Sequence, residues 1–549
     1  MKYSPVFPVI SLCLAFNTYS RAQVISPIEV MAANTRAIEI ERIELSDTAA
    51  VFYIDAYNAP GNWIKIDSET CLEGNVTGKQ YKLKRSDGFE LDKKVNMPES
   101  GNVSFKLYFD PMDKRETAVE FVEGRGSGAF IISGIQLKEK EEKGKIKCHI
   151  SGTVVDRPQS SRIILMPWNS DARVYPWISL PIRGGKFDCT FYLDIEEVYE
   201  LIFYDEMSQG SWRPIPFFAE NGELSFTLYP MDRWEDNVIS TETPLNALSE
   251  QLKEKDKKLY SEFDFSALRN ERDKLREEDR YFSDEYKKWR EDIVRAATPE
   301  EQDKLYKLRD ELLRSGRAYS EEGKAINEKS KKLIDEKNAR MLEYIKADPS
   351  LPAYFELVSL VDQSLSMMRY DPGNASDPAP FYAVYEEVFK NRYPDHPYTW
   401  KMATYISGNS LKAGGRYIDF TAPDAEGREF TLSEQIAGKV SLIDLWASWC
   451  GPCRRTSMSM IPVYENYKDK GFTIVGVARE RSVADMIRAA KQDGYPWLSL
   501  VELKDREKIW EKYGIGNGGG GTFLVDKTGT ILAVNPTAEQ VVAILEKQL

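Results

Sequence analysis

Two cysteines two residues apart, Cys450 and Cys453, close the apolar run LIDLWASWCGPCRR at 442–455. Such a pair can hold a metal, close a structural disulfide or exchange electrons with another thiol. A zinc site needs further ligands, and the two histidines of the chain, His149 and His396, lie far off in sequence without ligand spacing. A structural disulfide here closes a very short loop, the kind that stabilises least by the chain-entropy argument. Electron exchange fits the placement better. KVSLIDLW reads as a buried strand and 451–468 as a helix, which puts Cys450 at a helix N-terminus. Unpaired N–H groups and the positive end of the helix dipole stabilise a thiolate there. Cys453, one turn later on the same side, is placed to attack a mixed disulfide at Cys450. Pro452 in the first turn costs no hydrogen bond and stiffens the loop. Cys450 is therefore expected to be the nucleophile and Cys453 the resolving thiol, with no metal and no cofactor.

The elements that must position this pair run from about residue 414 onward. FTIVGVA reads as a second buried strand, and SVADMIRAAKQDG as a helix opened by Ser482 with Asp485 three residues on. GTFLVDKTGTILAV reads as strand, turn and strand around 527–529. TAEQVVAILEKQ is a last helix opened by a Thr537–Gln540 capping box. With FTAPDAEGREFTLSEQIAGKVSLIDLWASWCGPCR, the region resembles the TlpA-like branch of the thioredoxin superfamily, related to the AhpC/TSA group. The resemblance implies a thiol:disulfide oxidoreductase acting on protein disulfides or dithiols outside the cytoplasm, re-reduced by a membrane-bound thiol donor. It implies that Asp444 accepts the proton of the resolving thiol, that Trp449 packs beside the cysteines, and that Gly451 and Pro452 complete the active loop. Trp446 is expected in the core.

Two departures from the family pattern stand out. Where the family places a proline before the strand TFLVD, this chain has Gly520 in NGGGGTFLVD. Gly518 to Gly521 are expected to be trans and conformationally loose, with Gly520, Gly521 and Thr522 meeting a bound polypeptide. Gly520→Pro is then expected to alter substrate kinetics more than redox potential. After Cys453, RRTSMSMIPVY lacks the family's early Glu and carries Pro462 late. A thiol peroxidase would need Thr or Ser at position 447, which is Ala. A scaffold with a passive thioredoxin-like domain is the other competing reading, and the glycine loop is its best support.

The chain of 549 residues is long enough for roughly three to five domains. Its formal charge of -13 gives no electrostatic reason to expect nucleic acid or an anionic membrane as partner. Segment 1–22, with Lys2, an apolar centre and small residues Ser20 and Ala22, reads as a secretory signal. No later stretch has the roughly 20 apolar residues that span a bilayer, so a soluble, periplasmic or otherwise exported protein is expected. Strand-like alternation predicts a β-sandwich-like domain over 23–137 and a second β domain over 146–240, joined by the charged linker KEKEEKGK at 138–145. The second resembles, through ISGTVV, GGKFDCTFYL and FFAENGELSFTL, a small β domain of unknown function fused ahead of such modules. Residues 241–408 predict amphipathic helices forming an arm that spaces or dimerises the chain, and 409–549 form the α/β domain. Cys71, Cys148 and Cys189 read as packing residues. Trp168, Trp177 and Trp212 are read as packing rather than as a ligand-binding surface.

Overall fold

The computed structural model describes residues 22–549 except 27, 29, 31, 34, 36, 125–128, 138–145, 159, 172, 175–176, 409–410, 481–482, 504 and 518. The leader (except Ala22), the linker and the Ser482 cap therefore lie outside the described residues. Among these residues no helix is long and apolar enough to cross a membrane.

The first β region differs from a pair of separate sheets. A two-stranded ribbon, Trp63–Ile64 with Val95–Asn96, accompanies its main sheet, which has nine strands with strand Gln80–Asp87 shared. The start of that strand pairs with Cys71–Gly74 and its end with Asn102–Phe109, with a register shift between Leu83 and Arg85. Such irregularities bend a strand. The sheet folds over on itself, so Phe52 and Phe109 from one half meet Phe121 from the other in a single core.

The second β region is two four-stranded sheets. In one, Ile146–Val154 pairs antiparallel with Lys186–Leu193 and parallel with Gly222–Leu228. In the other, Arg162–Pro167 lies between Ile178–Pro181 and Glu197–Phe203. Cys148, Ile150, Phe217 and Phe226 fill the space between them.

The helices that follow are not a free arm. Helix Leu351–Tyr370 shares a core with Val198 and Phe218 of the second β region through Tyr354, Leu357 and Val358. Asn246 explains the docking: its side chain accepts from the Phe218 N–H at 2.9 Å and donates to the Phe218 carbonyl at 2.8 Å. Glu220 meanwhile takes the N–H groups of Leu245 and Asn246 at 3.0 and 2.8 Å, satisfying the open end of helix Pro244–Ser261. A second, smaller cluster around Leu275, Tyr281, Trp289 and Leu312 holds the far end together.

The C-terminal region alternates β1 (Val440–Trp446), α1 (Gly451–Tyr467), β2 (Phe472–Glu480), α2 (Val483–Asp493) and β3 (Leu498–Leu503). It ends with α3 (Ile509–Lys512), β4 (Gly521–Val525), β5 (Ile531–Val534) and α4 (Ala538–Gln548). The sheet order is β3-β2-β1-β4-β5, the first three strands parallel and the last two antiparallel to their neighbours. All of β1 is buried, as expected of a central strand covered on both faces. The Thr537–Gln540 capping box opens α4.

Candidate active site

Strand β1 delivers the chain to the site and α1 takes it away. Cys450 is the N-cap of α1 and is disulfide-bonded to Cys453, with Cα atoms 5.3 Å apart. The Cys453 N–H donates to Cys450 Sγ at 3.3 Å, and the Gly520 N–H donates to Cys453 Sγ at 3.0 Å. Each sulfur thus faces a backbone donor, and after reduction those donors favour thiolate over thiol. Cys450 is only 6% exposed, while Cys453 is partly exposed. In this oxidised form the sulfur expected to attack is the more covered of the two. Gly451 and Pro452 lie exposed in the first turn. Arg454 anchors that turn to the end of α2 through a two-point pair with Asp493, at 2.7 and 2.6 Å.

Asp444 lies inside. It is 2% exposed, paired in register with Thr522 on β4 and Gly476 on β2. Burial pushes its carboxyl up to about 7, and a hydrogen bond from Ser457 pulls in the opposite direction. Ser457 Oγ donates to Asp444 at 2.6 Å and is 3.1 Å from the Cys453 carbonyl oxygen, so one side chain links acid and cysteine. The sequence reading did not single out Ser457. Its position four residues after Cys453 on a helix was the available signal.

At Gly520 and Gly521 the loop is packed rather than loose, while Gly519 has open space around it. A Cβ on Gly520 would stand 1.9 Å from the Leu445 carbonyl oxygen and 3.0 Å from Cys453 Sγ, so the space is filled. A side chain is excluded, and a proline would also lack the N–H that faces the sulfur. Gly521 has Ile515 Cδ1 3.0 Å from where its Cβ would be. Thr522 is 4% exposed and backs Asp444; it is not placed to touch a docked polypeptide. Trp446 is fully buried, and Trp449 packs against Trp510 with ring centroids 5.7 Å apart. Neither histidine approaches the cysteines by hydrogen bonding: His149 pairs with Asp188 at 3.0 Å, and His396 lies 2.9 Å from the Glu196 carbonyl oxygen. Among the described residues no cluster of three or more His, Cys, Asp or Glu is arranged to hold a metal.

Residues 413–534 match the model of the AhpC/TSA family. Thiol-disulfide oxidoreductase ResA of Geobacillus thermodenitrificans (strain NG80-2) is 28% identical over 134 residues, covering 24% of this chain and 75% of that protein. Thiol:disulfide interchange protein DsbE of Allochromatium vinosum is 29% identical over 116 residues, covering 21% of this chain and 60% of that protein. A solved thioredoxin domain of a thiol-disulfide oxidoreductase from Bacteroides vulgatus is 31% identical, covering 25% of this chain and 98% of that one, with a TM-score of 0.24. The C-terminal region is a thioredoxin-like thiol-disulfide oxidoreductase module. Within that class its matched residues are those of an AhpC/TSA domain.

Proposed function

We propose that the protein is an exported reductase of protein disulfides. The observation that carries this reading is the Cys450–Cys453 pair at a helix start, with a backbone N–H on each sulfur and the buried Asp444 behind it. In the reduced enzyme the Cys450 thiolate attacks a substrate disulfide and one substrate thiolate leaves, taking up a proton. Cys453 passes its proton to Asp444 and attacks Cys450 Sγ, releasing the second substrate thiol and closing the enzyme disulfide. Two electrons pass to the substrate, so the cycle needs a thiol donor, which for an exported enzyme is membrane-bound. The leader at 1–22 supports export, and its removal is checked by the mass of the mature N-terminus. The cores support units at 23–137 and 409–549, and the change from strands to helices supports dividing 146–240 from 241–408, although Val198 and Phe218 pack into the helical core.

The equilibrium potential of the couple, read by thiol trapping and mass spectrometry across a redox buffer series, tests the reading. A value near roughly -270 mV identifies a reductant and one near roughly -120 mV an oxidant. Absence of a reversible couple would overturn the enzymatic reading in favour of a passive scaffold.

A further inference from the structure

The redox site is not built by the C-terminal region alone. Arg173, from the second β region, lays its guanidinium over the Trp449 ring at 3.8 Å. It also donates to the backbone carbonyl of Asn517, in the loop that leads to Gly520. Asp171 holds Arg173 at two points, 2.9 and 2.8 Å. Asp171 is itself buried and accepts from Arg479 at 3.1 Å, while Asp505 clamps the other side of the Arg479 guanidinium. Arg479 is buried at the end of β2. A buried cation held between two carboxylates is strongly disfavoured from losing either, so the segment carrying Arg173 is fixed beside the disulfide.

Next to this contact lies a cleft of about 950 Å³, walled by all three of the last regions, with Trp168, Glu197, Lys401, Tyr405, Trp510 and Asn517 among its residues. Trp510 is 2% exposed, and its indole N–H has no acceptor among the described residues. A buried donor without a partner is costly, and because this one is closed to solvent, a carbonyl oxygen of a docked chain satisfies it only where the cleft wall moves aside. Exposed Met368 and Tyr370 also line the cleft, giving its opening an adaptable apolar surface. Its cations are already engaged. Lys401 lies over Trp168 at 4.3 Å, Lys508 over Trp400 at 4.2 Å, and Arg479 between its two carboxylates. Such walls favour a polypeptide backbone with mixed side chains over a small anionic thiol.

We propose that this cleft receives the polypeptide segment flanking the target cysteine, with Arg173 as a positioning residue, so that the second β and helical regions select macromolecular over small disulfides. The proposal rests on the dithiol reading above. The full chain, kept reduced with dithiothreitol, is assayed on insulin and on 2-hydroxyethyl disulfide. Arg173→Ala and Trp510→Phe are expected to lower kcat/KM for insulin about tenfold, mainly through KM, and for the small disulfide by less than about threefold. The potential of the couple stays unchanged, and Arg173→Lys recovers part of the loss. Equal losses on both substrates, or a fall in Tm with unchanged selectivity, would overturn the proposal. A Ser-for-Cys insulin B-chain peptide, titrated by tryptophan fluorescence, reads the cleft without chemistry. About tenfold weaker binding in both variants supports the site; unchanged binding sinks it. A wild-type chain that binds this peptide but turns over neither disulfide would instead sink the dithiol reading.

Discussion

The second β region and the C-terminal region each carry two cysteines and hold them in opposite settings. Cys148 and Cys189 lie on neighbouring strands, where burial pushes both thiols up to about 12; a backbone contact from Glu220 offsets only part of this at Cys148. Cys450 and Cys453 sit at the start of α1, bonded to each other. Within a strand, backbone N–H groups are spent on the ladder and little remains to hold a thiolate. At a helix start they are unspent. The difference teaches that a cysteine's chemistry here is set by the backbone it stands on rather than by its burial alone, since Cys450 too is buried.

The harshest way to break that comparison is to remove one sulfur from each region. Cys450→Ser is expected to cut turnover of insulin disulfides at least about a thousandfold, and Cys148→Ser to leave it within about twofold. Comparable losses would place the chemistry elsewhere.

Asp444→Asn sharpens the role of the surroundings. Only the ionised carboxylate accepts a proton, so the wild-type rate should climb as pH rises through about 7. The variant should lose that limb and about a hundredfold in rate above it. Between about pH 4 and about 7 the folded chain holds a proton on Asp444 that an unfolded chain, with an ordinary Asp near 3.9, has released. Stability therefore falls as pH rises across that window and stays lowered above it. Denaturant midpoints of Asp444→Asn should lack this contribution and exceed wild type at alkaline pH; a parallel pH dependence would refute the assignment.

Smaller effects come from the loop. Gly520→Ala should cost about 1–3 kcal/mol in urea unfolding, because its Cβ meets the Leu445 carbonyl. Gly520→Pro also removes the N–H facing Cys453 and should shift the potential by about 30 mV, alongside the larger kinetic effect expected of it. An unchanged potential would return the loop to a recognition role alone. Least of all, Cys148→Ser should lower stability by about 1 kcal/mol, through a hydroxyl placed in an apolar core, and leave the potential of the other pair untouched.

Much of the C-terminal region was legible because its signals are local. A strand apolar but for Ser441 and Asp444, a CGPC turn and the Thr537–Gln540 box each announce themselves within a few residues, and the burial of Asp444 followed from the apolar text of SLIDLW. What escaped depends on neighbours distant in the chain. A run of glycines reads as freedom, yet whether the missing side chain leaves space or makes room for Leu445 and Cys453 is decided by another strand. Thr522, at the start of the strand TFLVD, read as meeting a bound polypeptide, but pairing with β1 places it in the interior. Arg173 carries no periodic or spacing signal, since its partners lie in another region of the chain. The shared strand Gln80–Asp87 was hidden likewise, because alternation reveals a strand but not which partners it pairs with.

The buried Asp171–Arg479–Asp505 arrangement also orders events in time. Asp171 precedes Arg479 by 308 residues. At a synthesis rate of about 5–20 residues per second, it leaves the ribosome on the order of 15 to 60 s earlier. The end of β2 is thus completed against a wall that has had time to form. A C-terminal module made without its predecessors would fold with Asp505 as the sole carboxylate of this arrangement on Arg479, a charge balance that the full-length chain does not meet once Asp171 is in place.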